Sequence, residues 1–213
     1  KVEEYPTQDY QDRCIIINPS FYYSSKFVSI PEDSKNYVDK VVASEGFIQN
    51  RIEQLAKDII ETNKGKTLTF LVIMKSALMF ANYLQKYIID HKKSIETKPY
   101  FYEYVTISSY SDDKSRGEIS IKTDEKVFAS LKGKDVIIVE DMYDTGKSMH
   151  QLIKYLDKFD LQSLQIASMF VKQNIANLKY QQKIDYVCFL IPANTFVVGF
   201  GMDFNELFRD LNH

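Results

Sequence analysis

The spacing of apolar and polar positions changes period several times along the chain, and each change marks an element. Phe47, Ile48, Ile52, Leu55, Ala56, Ile59 and Ile60 recur at the spacing of one helical face, and Gly65 punctuates the end. TLTFLVIM (67–74) loses that period and reads as a buried strand. Leu78, Ala81, Leu84 and Ile88 restore a helical face, and the aromatic, β-branched FYEYVTISSY (101–110) reads as a second strand. SDDKSRG (111–117) is turn chemistry, after which EISIKT resumes a strand. KDVIIVE (134–140) is a strand with an apolar body, and Met149, Leu152, Ile153 and Leu156 mark the helix after it. SLQIASMFV, IDYVCFL and FVVGFGMD (196–203) are expected as three further strands with little helix between them. Residues 1–43 are irregular, apart from the aromatic cluster FYYSS and one short strand in CIIINP.

Strands alternating with helices over residues 67–171 predict βαβ units, hence an α/β fold with a central, mainly parallel sheet flanked by helices. The unbroken VIIV run fits a sheet covered on both faces. Ligands in such sheets bind beyond the carboxyl ends of the strands. That is where Glu140, Asp141 and the turn Asp144-Thr145-Gly146-Lys147-Ser148 fall.

Composition narrows the class without naming a chemistry. The 213 residues carry 27 Lys plus Arg against 29 Asp plus Glu, a net charge of −2. Such balance offers no global field for nucleic acid or an anionic membrane, so neither is expected as a partner. Cys14 and Cys188 stand far apart and outside any CxxC, which argues against a disulfide framework or zinc site and for a reducing compartment. No apolar run nears the roughly 18 residues needed to cross a bilayer. The start, KVEEYPTQDYQDR, lacks a signal-peptide core. A cytoplasmic protein is expected.

Thr145, Gly146 and Ser148 are small residues that lead into a helix. Exposed backbone N–H groups, the positive helix end and two hydroxyls there suit a phosphate monoester. GKS also matches the tail of a triphosphate P-loop, but the glycine required five positions earlier is Asp141, whose carboxylate would repel the ligand. In a regular strand Glu140 and Asp141 point to opposite faces; a twist at the strand end lets both reach vicinal hydroxyls or a hydrated Mg²⁺. With Asp144 as a third carboxylate, the segment describes a ribose 5-phosphate site. The competing reading is a solvated strand end with an N-capping Asp or Thr, which explains the turn but not the acidic doublet.

VIIVEDMYDTGKSM (136–149) resembles the signature of type I phosphoribosyltransferases. SYSDDKSRGEI (109–119), IASMFVK (166–172), IPANTFVVGFGMDFNE (191–206) and FRDLNH (208–213) resemble the hypoxanthine-guanine branch, and the likeness spans roughly residues 38–213. The resemblance implies the type I phosphoribosyltransferase fold: a core over 44–180, with an extension over 1–43 and strands and a helix over 181–213 building a small hood. It implies Mg²⁺-dependent transfer of hypoxanthine or guanine onto 5-phosphoribosyl 1-diphosphate, giving IMP or GMP and pyrophosphate, by a homodimer or homotetramer. A transferase for xanthine or a pyrimidine, or a non-catalytic nucleotide sensor on the same fold, remains an alternative.

Residue by residue, the resemblance assigns Glu140 and Asp141 to the ribose hydroxyls and the metal, and Asp144 to the proton at purine N7. Asp144, Thr145, Gly146, Lys147 and Ser148 form its 5′-phosphate loop. Lys172 meets the 6-oxo group, Phe196 stacks on the base, and Val197 and Asp203 meet its edge. Asp203 also serves the metal, and Arg209 the pyrophosphate. Asp203 otherwise reads as a helix N-cap ahead of FNELF. Lys75 and Ser76 lie in a pyrophosphate turn where the family has Lys-Gly-Gly and a strained peptide; this chain keeps only the lysine. Thr195 stands where a lysine is common. Ser109 and Tyr110 belong to a lid that excludes water from the reacting centre.

Overall fold

The computed structural model describes residues 12–18, 20, 22–24, 28–38, 40–92, 98–109, 119–174, 179–180 and 182–213. Along the chain run β1 (Ile15–Ile16), α1 (Glu45–Thr62), β2 (Leu68–Met74), α2 (Leu78–Lys92), β3 (Tyr100–Ser109) and β4 (Ile119–Ile121). Then follow α3 (Glu125–Ala129), β5 (Asp135–Tyr143), α4 (Lys147–Leu156), β6 (Ser163–Gln173) and β7 (Tyr186–Pro192). The strands form one sheet in the order β1-β7-β6-β5-β2-β3-β4, parallel throughout except for β4 against β3.

The strands are apolar because both faces of the sheet are covered. On one face Ile48, Leu55 and Ile59 of α1 and Phe80 and Leu84 of α2 pack on Phe70, Val72, Ile137 and Val139. On the other, Phe128 of α3 and Leu152 and Leu156 of α4 pack on Leu71, Ile73, Val136 and Ile138. The Ser44 side chain does not cap α1, so the helix depends on its apolar face. Burying one Ile or Leu contributes about 1.5–3 kcal/mol, more than the roughly 1 kcal/mol of a cap, and α1 buries Ile48, Ile52, Leu55, Ile59 and Ile60. Arg51, on the same helix, is also buried. Its guanidinium donates to the carbonyls of Val187, Cys188 and Arg13, which ties α1 to β7 and to the segment before β1.

Three sequence expectations need correction. FVVGFGMD is not a strand: Gly199, Phe200 and Gly201 take φ of 93, 49 and 98°, which breaks the pleat. Nor does a helix follow it. Asp203 caps a turn, accepting the Glu206 N–H at 2.7 Å. The strand in CIIINP shrinks to Ile15–Ile16.

The segments before α1 and after β7 fold over one another. His213 caps α1 in place of Ser44: its Nδ1 accepts the Glu45 N–H at 3.0 Å, while its Nε2 lies 3.0 Å from the Ser29 carbonyl. The Tyr37 and Phe208 rings meet with centroids 5.5 Å apart. Between these segments lies a cavity of about 750 Å³ bounded by Ile30, Val41, Phe196, Val197 and Leu211, among others.

Among the described residues no helix is long and apolar enough to cross a membrane. Neither cysteine forms a disulfide. Burial pushes the Cys14 thiol up to about 11 and the Cys188 thiol up to about 12. Against an ordinary value of 9.0, a thiol at about 11 holds roughly a hundredfold less thiolate at pH 8. Native protein treated with an aromatic disulfide reagent at pH 8 is therefore expected to label far more slowly than the same protein in guanidinium. Equal rates in the two conditions would contradict the burial.

Candidate active site

β2 and β5 are neighbours at the point where the sheet reverses direction: the chain continues from β2 outward to β3 and from β5 outward to β6. A crevice opens at the carboxyl ends of strands at such a point. The turn Lys75-Ser76-Ala77 follows β2 and the Asp144–Ser148 bend follows β5. The Met74–Lys75 peptide bond is cis, in the turn where the resemblance places an unusual peptide. Ser76 Oγ donates to Asp141 Oδ1 at 2.8 Å and joins the two loops.

The acidic doublet does not end its strand. β5 continues through Glu140 and Asp141 to Tyr143, with Glu140 paired to Ser168 and Tyr143 to Val171 of β6. Ile137 and Val139 face α1 and α2, while Val136 and Ile138 face α3 and α4. Beyond the doublet Met142 packs with the first group and Tyr143 with the second, so the alternation slips by one residue across the acids. This slip is the twist that a strict two-residue period forbids. Asp141 is buried, and its N–H donates to Glu140 Oε1 at 3.1 Å. Burial, reinforced by the Asp141 carboxylate beside it, pushes the Glu140 carboxyl well above the usual carboxylate range. A bound cation or hydroxyl donors would relieve that crowding.

Gly146, with φ of 76°, stands at the N-cap just before α4, and no side chain caps the helix there, so its first N–H groups face the bend without one. Thr145, Lys147 and Ser148 are exposed around it. Asp144 Oδ2 accepts from Lys172 Nζ at 3.2 Å, and Asp144 Oδ1 accepts from Asn174 Nδ2 at 3.4 Å. The end of β6 thus delivers a cation and an amide to the carboxylate that follows β5. Sequence reasoning found Lys172 and missed Asn174, two residues further along the same strand exit.

The C-terminal residues form the opposite rim. Arg209 Nη1 donates to the Gly201 carbonyl at 2.8 Å, and its Nη2 meets Asp203 Oδ1 at 2.7 Å. Gly201, with φ of 98°, presses on the Ser76 carbonyl so closely that a Cβ would collide with it. Lys75 Nζ reaches across to Glu206 Oε2 at 3.0 Å, and Lys75 and then Arg209 hold the Glu206 carboxyl below its ordinary value. Glu206 had no sequence signal.

Phe196 is 69% exposed, and its ring meets Phe204 edge-on at 6.0 Å. Phe196 and Val197 line the cavity between the terminal segments, but Glu140, Asp141, Asp144, Lys172 and Asp203 do not. The structure therefore unites most of the expected site in the crevice, and Phe196 and Val197 also border the neighbouring cavity. The chemistry-bearing groups are those of the crevice. Among the described residues no three His, Cys, Asp or Glu side chains converge as a metal site, so Glu140, Asp141 and Asp203 do not form one cluster. Tyr110 and the lid residues 111–117 lie outside the described residues, and Ser109 is the last residue of β3.

A strand-end crevice with an acidic doublet and an open helix start is the architecture of the type I phosphoribosyltransferase fold. The family model for the phosphoribosyl transferase domain matches residues 43–205, and the chain belongs to that family. Its relatives place it in the hypoxanthine-guanine branch. It is 40% identical over 188 residues to the hypoxanthine-guanine-xanthine phosphoribosyltransferase of Plasmodium falciparum, covering 86% of this chain and 79% of the relative. Against the human hypoxanthine-guanine phosphoribosyltransferase it is 33% identical over 192 residues, covering 90% and 86%. A Staphylococcus aureus hypoxanthine phosphoribosyltransferase superposes with a TM-score of 0.75 at 30% identity, over 87% of this chain and 94% of that one. A Schistosoma mansoni hypoxanthine-guanine phosphoribosyltransferase in complex with IMP gives 0.75 at 27% identity, over 94% and 92%.

Proposed function

We infer that the chain is a purine-salvage transferase that joins hypoxanthine or guanine to 5-phosphoribosyl 1-diphosphate, forming IMP or GMP and releasing pyrophosphate. The observation that carries the reading is the Asp144–Lys172 pair, 3.2 Å apart, beside the Gly146 bend. A 6-oxopurine presents N7 and its oxo group on adjacent positions of one edge. A carboxylate and an ammonium side by side complement that edge, the first taking the N7 proton and the second donating to the oxygen.

The bend after Asp144 holds the 5′-phosphate on the α4 N–H groups and the hydroxyls of Thr145 and Ser148. Glu140 and Asp141 face the ribose. As the bond to pyrophosphate loosens, the sugar gains oxocarbenium character, which nearby carboxylates stabilise more than they stabilise the neutral donor. Lys75, the Ser76 turn and Arg209 take the pyrophosphate. Phe196 and Val197 close on the base, with Asp203 at its edge, and Ser109 and Tyr110 close over the centre.

Carboxylate oxygens are hard donors that fit Mg²⁺, which is commonly held by one or two carboxylates with substrate oxygens and water completing the shell. Glu140 and Asp141 together, or Asp203 on the opposite rim, are the residues that would hold it. When bound, the ion offsets negative charge on the departing pyrophosphate. We place the protein in the cytoplasm, where two thiols outside any disulfide suit a reducing medium, and as a homodimer or homotetramer.

Product formation from phosphoribosyl diphosphate and a panel of free bases, with and without Mg²⁺, tests the reading. Hypoxanthine and guanine are expected to react, and only with the metal. Xanthine belongs in the panel because the Plasmodium falciparum relative carries it in its name. Turnover of adenine or a pyrimidine alone would overturn the assignment. In Lys172→Gln the charged donor to the 6-oxo group is lost. A hydrogen bond to a charged group contributes about 1.5–3 kcal/mol, so the preference for hypoxanthine over adenine in kcat/KM is expected to fall roughly ten- to hundredfold. Unaltered selectivity would place base recognition elsewhere.

A further inference from the structure

One carboxylate spans two cations at the rim of the crevice. Glu206 Oε2 lies 3.0 Å from Lys75 Nζ, and its Oε1 lies 3.3 Å from Arg209 Nη2, although Lys75 and Glu206 are 131 residues apart in the chain. The backbone is bent to present it. Asn205, Glu206 and Phe208 take φ of 52, 66 and 70°, the left-handed region that disfavours a non-glycine residue. The Phe204–Leu207 backbone pair and the Asp203 carboxylate, which accepts the Glu206 N–H, hold this turn in shape. An incidental surface ion pair joins flexible side chains on ordinary backbone. Here three left-handed residues in four aim the carboxylate across to the β2 turn.

Lys75 and Arg209 are the two cations to which the proposed function gives the pyrophosphate. We propose that Glu206 is a built-in competitor for that group: its carboxylate neutralises Lys75 and Arg209, and a diphosphate must displace it to gain both cations. The inference rests on the proposed function and adds a residue that limits affinity at its pyrophosphate subsite. Asp203 also meets Arg209, yet it is 27% exposed and anchored by the Glu206 N–H, whereas the Glu206 side chain is 65% exposed and can swing away. Asp203 orients the arginine, and Glu206 contests it. The consequence is directional. Two uncontested cations would bind product pyrophosphate tightly and delay its release, while a carboxylate that returns to them eases departure.

Titration of pyrophosphate in Mg²⁺ buffer, and separately of ribose 5-phosphate, into wild type and Glu206→Gln tests this. Glutamine keeps the length and removes the charge. Loss of two exposed ion pairs is expected to tighten pyrophosphate about three- to tenfold. Product inhibition by pyrophosphate should strengthen by the same factor, and the gain should shrink as salt rises. Ribose 5-phosphate, which engages the Gly146 bend and the acidic doublet but neither Lys75 nor Arg209, is expected to bind both proteins alike. If Glu206→Gln binds pyrophosphate no tighter than wild type, Glu206 is an orienting group or a bystander and the proposal falls. A wild type that binds neither ligand is a different result: it removes the proposed function itself.

Discussion

Asp144→Asn is expected to turn over hypoxanthine about 10²- to 10⁴-fold more slowly while still binding phosphoribosyl diphosphate, the range associated with loss of a positioned proton acceptor. Asparagine has the same shape, and its one amide oxygen can still accept from Lys172, which lies 3.2 Å from Asp144 Oδ2, while its amide nitrogen replaces the oxygen that accepts from Asn174 at 3.4 Å. It cannot take a proton from N7 as N9 attacks the sugar. The side chain is 47% exposed, so the substitution leaves folding intact and isolates the chemistry. Rapid-quench turnover and direct titration of the sugar donor separate the two effects. Unchanged turnover removes Asp144 from the reaction; lost donor binding makes it a binding group instead.

Gly146→Ala is expected to damage both the fold and the phosphate bend. An added Cβ would strike the Tyr143 hydroxyl and come within 2.8 Å of its Cζ, and Tyr143 is 3% exposed and packed in the α3–α4 side of the core. Gly133 supplies the comparison. It too has a positive φ, 69° against 76°, but nothing lies within 4 Å of its missing Cβ. Gly133→Ala should therefore lose only the backbone term of about 1–2 kcal/mol. Gly146→Ala should lose that term and at least as much again from overpacking, which typically costs about 1–3 kcal/mol. Ribose 5-phosphate affinity is expected to fall in Gly146→Ala alone. Urea denaturation and titration of both variants give the answer, and matching values for the pair would mean that the close approach at Gly146 is harmless.

The periodic segments were legible because burial imposes the pattern. Of the seven apolar or small positions from Phe47 to Ile60, all but Phe47 are buried, and β2 and β5 are apolar on both faces because helices cover both. The crevice followed from topology, since Glu140, Asp141 and the bend all lie at the end of one covered strand. The run past β7 was misread because FVV has strand composition, and only the three-dimensional packing of Gly199 and Gly201 against His213 and Ser76 forces the positive φ values that break it. The continuation of β5 beyond its acids was hidden for a related reason. Asp141 is accommodated by Ser76 from another loop, and propensity carries no trace of such a partner. Glu206, Asn174 and the cap that His213 places on α1 are likewise long-range meetings of residue types that, read locally, suit any solvated surface.

The most direct measurement is a crystal structure with phosphoribosyl diphosphate and Mg²⁺ bound. The 5′-phosphate is expected against the backbone of residues 145–148, the ribose hydroxyls toward Glu140 and Asp141, and the diphosphate between Lys75 and Arg209. Density for the donor anywhere else, with that bend holding only solvent, would contradict this placement.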